Sequence, residues 1–73
     1  MRTALCPGSF DPFHNGHLEV VERAARLFED VVVAPTRNPQ KAEALFDIEE
    51  RRAMIEESTG HLGNVRTVAL TGL

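Results

Sequence analysis

The sequence predicts an α/β fold in which strands and helices alternate along the chain and the strands form a parallel sheet. Two observations predict this fold. Short apolar runs, typical of strands covered on both faces, alternate with segments in which apolar residues recur at helical spacing. Gly, Pro, Asn or Asp residues mark the changes between the two patterns. With right-handed crossovers, the order β-α-β-α-β gives a three-stranded parallel half of a Rossmann-like, doubly wound sheet.

The first strand and the first helix are predicted near the beginning of the chain. Residues 4–6 are apolar and are followed by Pro7 and Gly8, which we expect to end the strand. A helix begins near Gly16, because apolar residues then recur three or four positions apart and form one stripe. The stripe consists of Leu18, Val21, Ala25 and Phe28. The sequence thus predicts an amphipathic helix that packs one face against the sheet.

The second strand and the segment after it differ sharply in composition. Residues 31–34 are three valines and an alanine, and Pro35 follows them. Such a β-branched run is typical of a parallel strand that is buried on both faces. Residues 36–46 are mostly polar, with Pro39 and Lys41 among them. We therefore expect a loop after the second strand.

The second helix is predicted to begin at a capping box. The Asp47 carboxylate would act as the N-cap, and Glu50, three residues later, would bond back to the cap backbone. The helix is expected to end near Thr59, with Gly60 as the C-cap signal. Arg51 would either pair with loop carboxylates or point into solvent, and we expect the structural role.

The third strand and the extent of the domain follow from the same pattern. Asn64 introduces a strand over about residues 65–70, and residues 1–73 then form a single, incomplete domain. The first strand would lie at the centre of a complete doubly wound sheet, so its outer edge requires another strand. We therefore expect the chain to be a fragment of a longer protein. The alternative is a partner chain that supplies the missing edge.

Composition and charge argue against several classes of protein. The net charge is −3 and the basic residues form no cluster, which disfavours a nucleic-acid-binding surface. No apolar stretch approaches the ~20 residues of a membrane-spanning helix, and we expect no signal peptide, because no apolar h-region follows Arg2. Cys6 is the only cysteine, which excludes an internal disulfide or a multi-cysteine zinc site. These features predict a protein of the reducing cytoplasm.

The most informative segment lies between the first strand and the first helix. Residues 8–17 read Gly-Ser-Phe-Asp-Pro-Phe-His-Asn-Gly-His, and the helix N-terminus offers unpaired N–H groups and a partial positive charge. Ser9 and the imidazoles of His14 and His17 would add hydrogen bonds to phosphate oxygens. Gly16 would let a ligand approach the backbone. The segment therefore predicts a site for a nucleotide triphosphate.

A metal site is the alternative for the same segment. Asp11, His14 and His17 carry side chains that can ligate a metal ion. This alternative is the weaker one, because no second carboxylate is near in sequence and the glycines favour phosphate. Asp11 is instead expected to order the turn by accepting hydrogen bonds from backbone N–H groups.

The segment also resembles the signature of a known superfamily. The H-x-G-H element of residues 14–17, preceded by Gly-Ser-Phe-Asp-Pro at residues 8–12, is similar to the nucleotidyltransferase signature. Residues 38–41, 46–51 and 61–65 resemble the corresponding segments of bacterial phosphopantetheine adenylyltransferases. The similarity extends through essentially the whole chain, and the motifs are specific in combination.

The resemblance implies an enzyme that transfers the adenylyl group of ATP to 4′-phosphopantetheine and so gives dephospho-coenzyme A and pyrophosphate. Ser9 would contact both ATP and the acceptor phosphate, and the backbone at Phe10 would contact ATP. His17 would hold the ATP phosphates and stabilise the transition state, and His14 is expected to bind ATP beside it. Lys41 would bind the acceptor phosphate. Mg²⁺ would bridge ATP oxygens, and we assign no residue as its ligand.

Other functions stay open in the sequence. Phosphopantetheine adenylyltransferases commonly have Thr at the position of His14, whereas nicotinate mononucleotide adenylyltransferases often have His there. Nicotinate mononucleotide is therefore an alternative acceptor, and a non-catalytic nucleotide-binding module is an alternative of another class. For Lys41, an ordinary solvated lysine is the alternative to a phosphate ligand.

The resemblance has two consequences for the protein as a whole. It implies a homohexamer. The family's later basic residues and serine-rich phosphate loop lie beyond Leu73, and we therefore expect residues 1–73 alone to have little or no turnover.

Overall fold

The computed structural model describes residues 2–36 and 47–69. Strands and helices alternate along the chain in the predicted order β-α-β-α-β. The elements are β1 (Thr3–Gly8), α1 (Asn15–Leu27), β2 (Asp30–Pro35), α2 (Ile48–Thr59) and β3 (Val65–Thr67). No helix within these two ranges is long and apolar enough to cross a membrane. The predicted loop residue Lys41 lies outside the described residues.

The three strands form a parallel sheet in the order β1-β2-β3, with both helices on one face. Val31 and Val33, which point to the same face of β2, share one core with Val21 of α1 and Ile55 of α2. On the opposite face of the sheet, Leu5 is 61% exposed. One covered face and strands of this order match half of a doubly wound sheet, as the sequence predicts.

The first strand is longer than predicted, because Pro7 and Gly8 belong to it rather than end it. The carbonyl of Gly8 accepts a hydrogen bond from the N–H of Thr36 at 2.8 Å, so Gly8 faces the β2 side. Neighbouring residues in a strand direct their backbone groups to opposite sides, and Pro7 therefore faces away from β2. At that position, the missing N–H of a proline costs no hydrogen bond in the ladder with β2.

The third strand is shorter than predicted and ends at Thr67. Its ladder with β2 begins with Val31 N–H donating to Asn64 and includes Val68 N–H donating to Val33. The next hydrogen bond of the parallel ladder would need an N–H from Pro35, which has none. The proline that was expected to end β2 therefore also limits β3.

The second helix begins as predicted, with both hydrogen bonds of the Asp47–Glu50 capping box present. It ends at Thr59, and Gly60 is the C-cap. Gly60 keeps a right-handed conformation (φ −60°, ψ −22°) instead of the left-handed one that glycine commonly supplies at this point. The C-cap prediction is confirmed in position, and the turn continues through a hydrogen bond from Leu62 N–H to the Thr59 carbonyl at 2.9 Å.

Candidate active site

The turn between β1 and α1 lies at the carboxyl edge of the sheet. The hydrogen bond from Thr36 to Gly8 holds the ends of β1 and β2 together at this edge. In open α/β sheets, ligands bind outside the carboxyl ends of the strands, where the helices begin. The predicted site residues Ser9, Phe10 and His14 belong to this turn, and His17 lies in the first turn of α1.

The start of α1 is capped by its two histidines. The backbone N–H of Gly16 donates to Nδ1 of His14 at 3.1 Å. The backbone N–H of His14 donates to Nδ1 of His17, also at 3.1 Å. The two imidazole rings are stacked, with 3.7 Å between their centroids and 27° between their planes. The pair thus forms a reciprocal capping box in which imidazoles replace the usual Ser/Thr and Glu/Gln side chains.

The two caps determine which ring nitrogens carry protons. An Nδ1 atom that accepts a hydrogen bond from a backbone N–H has no proton of its own, so a neutral ring carries its proton on Nε2. Both His14 and His17 therefore present an Nε2–H donor. Partial burial and the neighbouring His14 lower the pKa of His17 below its usual 6.5. The neutral form of His17 is thus the stable one at pH 7.

Phe10 connects the turn to the histidine pair. Its side chain is 7% exposed and its ring meets the His17 ring edge-on, with 4.9 Å between centroids. The Phe13 ring packs on both of these rings at 5.5 Å. Phe10 has a φ of 48°, in the left-handed region that costs a non-glycine residue about 1–3 kcal/mol. The surrounding packing therefore holds a strained backbone at the residue predicted to contact ATP.

The two glycines of the segment make room for side chains of the protein itself. A Cβ atom on Gly8 would lie 2.9 Å from the Phe10 ring. A Cβ atom on Gly16 would lie 3.0 Å from Cε1 of His14. Gly16 was expected to allow close ligand approach, and in the structure the His14 imidazole lies beside its Cα. A side chain at position 16 would push that imidazole by a few tenths of an ångström and so disturb the cap.

The described residues do not form a metal-ligating cluster. Within residues 2–36 and 47–69, no group of three or more His, Cys, Asp and Glu side chains is arranged to hold an ion. The alternative site made of Asp11, His14 and His17 therefore has no support from the geometry. The role predicted for Asp11 in ordering the turn stays a prediction.

Arg51 has the structural role expected for it. The loop that would supply its carboxylate partners, residues 37–46, lies outside the described residues. The Arg51 side chain is 4% exposed and donates to three backbone carbonyls. These are the carbonyls of Ser9 at 2.7 Å, Thr36 at 3.0 Å and Asp47 at 3.3 Å. The sequence held a signal, because the i, i+4, i+8 spacing of Arg51, Ile55 and Thr59 places the arginine on the buried face of α2.

The family of this chain follows from the comparison of its sequence with known proteins. The family model described as cytidylyltransferase-like matches residues 5–73, which include all of the fold except the first two residues of β1, and the whole segment 8–17. The chain belongs to the cytidylyltransferase-like family. The nucleotidyltransferase resemblance expected from the H-x-G-H element is thereby confirmed at the level of the family.

This cytidylyltransferase-like chain also matches curated relatives along its full length of 73 residues. A protein of Symbiobacterium thermophilum named phosphopantetheine adenylyltransferase is 55% identical. Proteins of the same name from Corynebacterium diphtheriae and Syntrophomonas wolfei are each 48% identical. The cytidylyltransferase-like chain covers 44%, 46% and 45% of these three proteins, respectively, and so spans a little under half of their length.

Proposed function

We propose that the complete protein containing this chain transfers the adenylyl group of ATP to 4′-phosphopantetheine, and that these residues supply its ATP-phosphate site. One observation carries the proposal. The start of α1 is capped without any acidic residue in its first turn, and two neutral imidazoles there each retain an Nε2–H donor. This arrangement suits a polyanion, and the relatives named phosphopantetheine adenylyltransferase support the choice of substrates.

The proposed reaction is an in-line displacement at the α-phosphorus of ATP. An oxygen of the acceptor phosphate forms a bond to the α-phosphorus. The bond from the α-phosphorus to the oxygen that bridges to the β-phosphorus breaks, and pyrophosphate leaves with that oxygen. His17 would donate through Nε2–H to the phosphate oxygens as negative charge moves onto the leaving group. His14, Ser9 and the backbone at Phe10 would hold ATP in place beside it. Orientation and charge stabilisation then account for catalysis without a covalent enzyme intermediate.

Mg²⁺ belongs to the proposal only as a companion of ATP. The histidine pair uses both Nδ1 atoms for helix capping, and the described residues include no ready set of ligands for an ion. The residues therefore do not fit a resident metal site, and we derive no step that depends on one. Mg²⁺ is expected to arrive on phosphate oxygens, which it prefers as hard ligands.

The choice of acceptor depends partly on His14. A histidine at this position was the reason to consider nicotinate mononucleotide as the acceptor. In the structure, His14 is the N-cap of α1 and accepts from the Gly16 N–H. Threonine commonly plays the same role at helix starts. A histidine here therefore fills the capping role that threonine can fill, so His14 is no longer a reason to prefer nicotinate mononucleotide as the acceptor.

The proposal is tested with the complete natural polypeptide that contains these residues. We expect dephospho-coenzyme A and pyrophosphate to form from ATP and 4′-phosphopantetheine, and no product to form with nicotinate mononucleotide. Lys41→Ala is expected to raise KM for phosphopantetheine, and KM for ATP serves as the internal control. If only nicotinate mononucleotide is adenylylated, the proposed acceptor is wrong and nicotinate mononucleotide takes its place. Nucleotide binding without either product would favour a non-catalytic module.

Three further expectations come with the family resemblance and are part of the same proposal. The complete protein is proposed to be a homohexamer and to act in the cytoplasm, and residues 1–73 alone are proposed to have little or no turnover. Sedimentation of the complete protein tests its assembly. Turnover by the 73-residue chain at the rate of the complete protein would contradict the last expectation.

A further inference from the structure

We propose that Arg51 is a positioning residue for adenylyl transfer, because its buried guanidinium fixes the turn that carries Ser9, Phe10 and His17. The inference deepens the proposed function and rests on it. Arg51 lies on α2 and donates a hydrogen bond to the Ser9 carbonyl in the turn after β1. No role at the reacting atoms is assigned to it.

The contacts of Arg51 join three separate pieces of backbone. Nη1 donates both to the Ser9 carbonyl, after β1, and to the Thr36 carbonyl, after β2. Nε donates to the carbonyl of Asp47, the N-cap of α2. One rigid, planar group therefore sets the distances between the ends of two adjacent strands and the start of a helix. These three ends surround the carboxyl edge where the ligand is proposed to bind.

The hydrogen bond to Ser9 also fixes the orientation of the next N–H group. The Ser9–Phe10 peptide is trans, so its carbonyl and its N–H point in opposite directions within one plane. With the carbonyl held by Arg51, the N–H of Phe10 faces away from α2. The same peptide precedes the left-handed φ of 48° at Phe10, which sets where the Phe10 ring meets His17. Arg51 thus acts on the histidine through a single peptide and one aromatic contact.

The position of Arg51 is otherwise unfavourable for a cation. It lies in the first turn of α2, where the helix dipole favours negative charge, and its side chain is almost completely buried. Burial of a charged group is costly unless hydrogen bonds satisfy it. The backbone carbonyls of the site provide these hydrogen bonds. A lysine has no planar fork and could not hold the Ser9 and Thr36 carbonyls in the same geometry.

The test compares Arg51→Lys and Arg51→Met with a matched control in the complete natural polypeptide. The control is Arg52→Lys, because Arg52 is the adjacent arginine, its side chain is 42% exposed and it pairs with Glu56 on the surface. Three quantities are measured: kcat and KM for ATP, the thermal midpoint, and the imidazole nitrogen resonances of His17 in the absence of nucleotide. The last measurement does not depend on activity.

For Arg51→Lys, we expect kcat to fall at least ~10-fold in protein that is still folded, since small displacements of positioned groups can cost up to ~100-fold. The His17 nitrogen resonances should shift in Arg51→Lys and stay unchanged in Arg52→Lys. A merely structural arginine would lower the thermal midpoint and leave kcat of the folded molecules and the His17 resonances unchanged, which would overturn the inference. Loss of folding in both Arg51 variants would overturn it too.

If the complete protein proves inactive toward every acceptor, the proposed function fails and the His17 resonances decide the positioning role alone. A shift in the Arg51 variants, absent in the Arg52 variant, would still support control of the turn by Arg51. Unchanged resonances would show that Arg51 has no effect on His17. That result would overturn the positioning role whether or not the proposed function holds.

Discussion

The two helices that the structure describes both begin with a reciprocal capping box, but the capping side chains differ in their chemistry. In α1, His14 and His17 each use a side-chain Nδ1 to accept from a backbone N–H. In α2, Asp47 accepts from the N–H of Glu50 at 2.8 Å and Glu50 accepts from the N–H of Asp47 at 3.2 Å. Both are complete capping boxes. The N-cap side chain accepts from the second helical residue in α1 and from the third in α2, and the capping groups differ in charge.

That difference determines which helix start is able to bind an anion. The first turn of α2 carries Glu49 and Glu50 in addition to its Asp47 cap, so its partial positive charge is already neutralised. The first turn of α1 has no acidic residue, and its caps add no negative charge. Imidazole caps also retain a donor on Nε2, which carboxylates lack. A capping box therefore neutralises the N-terminus of α2 but leaves the N-terminus of α1 electropositive.

The largest effect is expected when the acidic capping box of α2 replaces the histidine capping box of α1. His14→Asp combined with His17→Glu rebuilds a standard capping box, so the folded protein should keep its stability. Two carboxylates would then face the polyphosphate. We expect ATP affinity, measured by calorimetry on the complete polypeptide, to fall by more than ~100-fold, beyond the usual cost of removing one oriented donor. Wild-type affinity in this variant would show that ATP does not bind at α1.

A single substitution separates catalysis from capping at the same helix start. His17→Ala removes both the Nε2–H donor and the acceptor for the His14 N–H. We expect kcat to fall ~100-fold, since removal of one preorganised donor typically costs that much. His17→Gln, which keeps an acceptor and a donor, should recover part of the rate. Unchanged turnover in His17→Ala would remove the assignment of His17 to the transition state.

The features that could be predicted from sequence are those encoded by neighbouring residues. The Asp47–Glu50 box and the β-α-β-α-β order depend on local spacing, and both are confirmed. That His14 and His17 cap the helix reciprocally was not predicted, because imidazole is not among the usual capping groups, although the H-x-G-H spacing places both rings at the correct helix positions. The partners of Arg51 could not be predicted, because Ser9 lies 42 residues away and becomes its neighbour only through the sheet.

The acidity of His17 gives a third test of the difference between the two caps. Burial, with a smaller contribution from His14, lowers its pKa in the folded protein below the usual 6.5. As pH falls, His17 therefore takes up a proton in the unfolded chain before it does so in the folded protein. The contribution of His17 to stability is complete above pH 6.5 and is lost as pH drops through the pKa of His17 in the folded protein. Protonation of Nδ1 also breaks the bond to the His14 N–H. We expect the free energy of unfolding, measured by urea denaturation, to fall as pH drops below 6.5.

The pKa of His17 is measured by following its imidazole resonances through an acid titration. A value below that of a histidine in a short peptide, together with an Nε2–H tautomer at pH 7, agrees with the neutral cap. A raised value would mean that an imidazolium is present at pH 7. The α1 start would then attract phosphate through a full charge and not through two neutral donors.

The smallest effect is expected from a substitution in the capping box of α2, the helix with which α1 is compared. Glu50→Ala removes the N3 side chain of the α2 box, at the position that His17 occupies in α1. The loss should be about 0.5–1 kcal/mol in the free energy of unfolding, as for other exposed helix caps, when measured by urea denaturation. Turnover per folded molecule should stay at the wild-type value, because the Glu50 side chain accepts a hydrogen bond at the start of its own helix. A change in ATP affinity comparable to that of His17→Ala would mean that the two helix starts are coupled electrostatically, and that α2 contributes to the anion site as well.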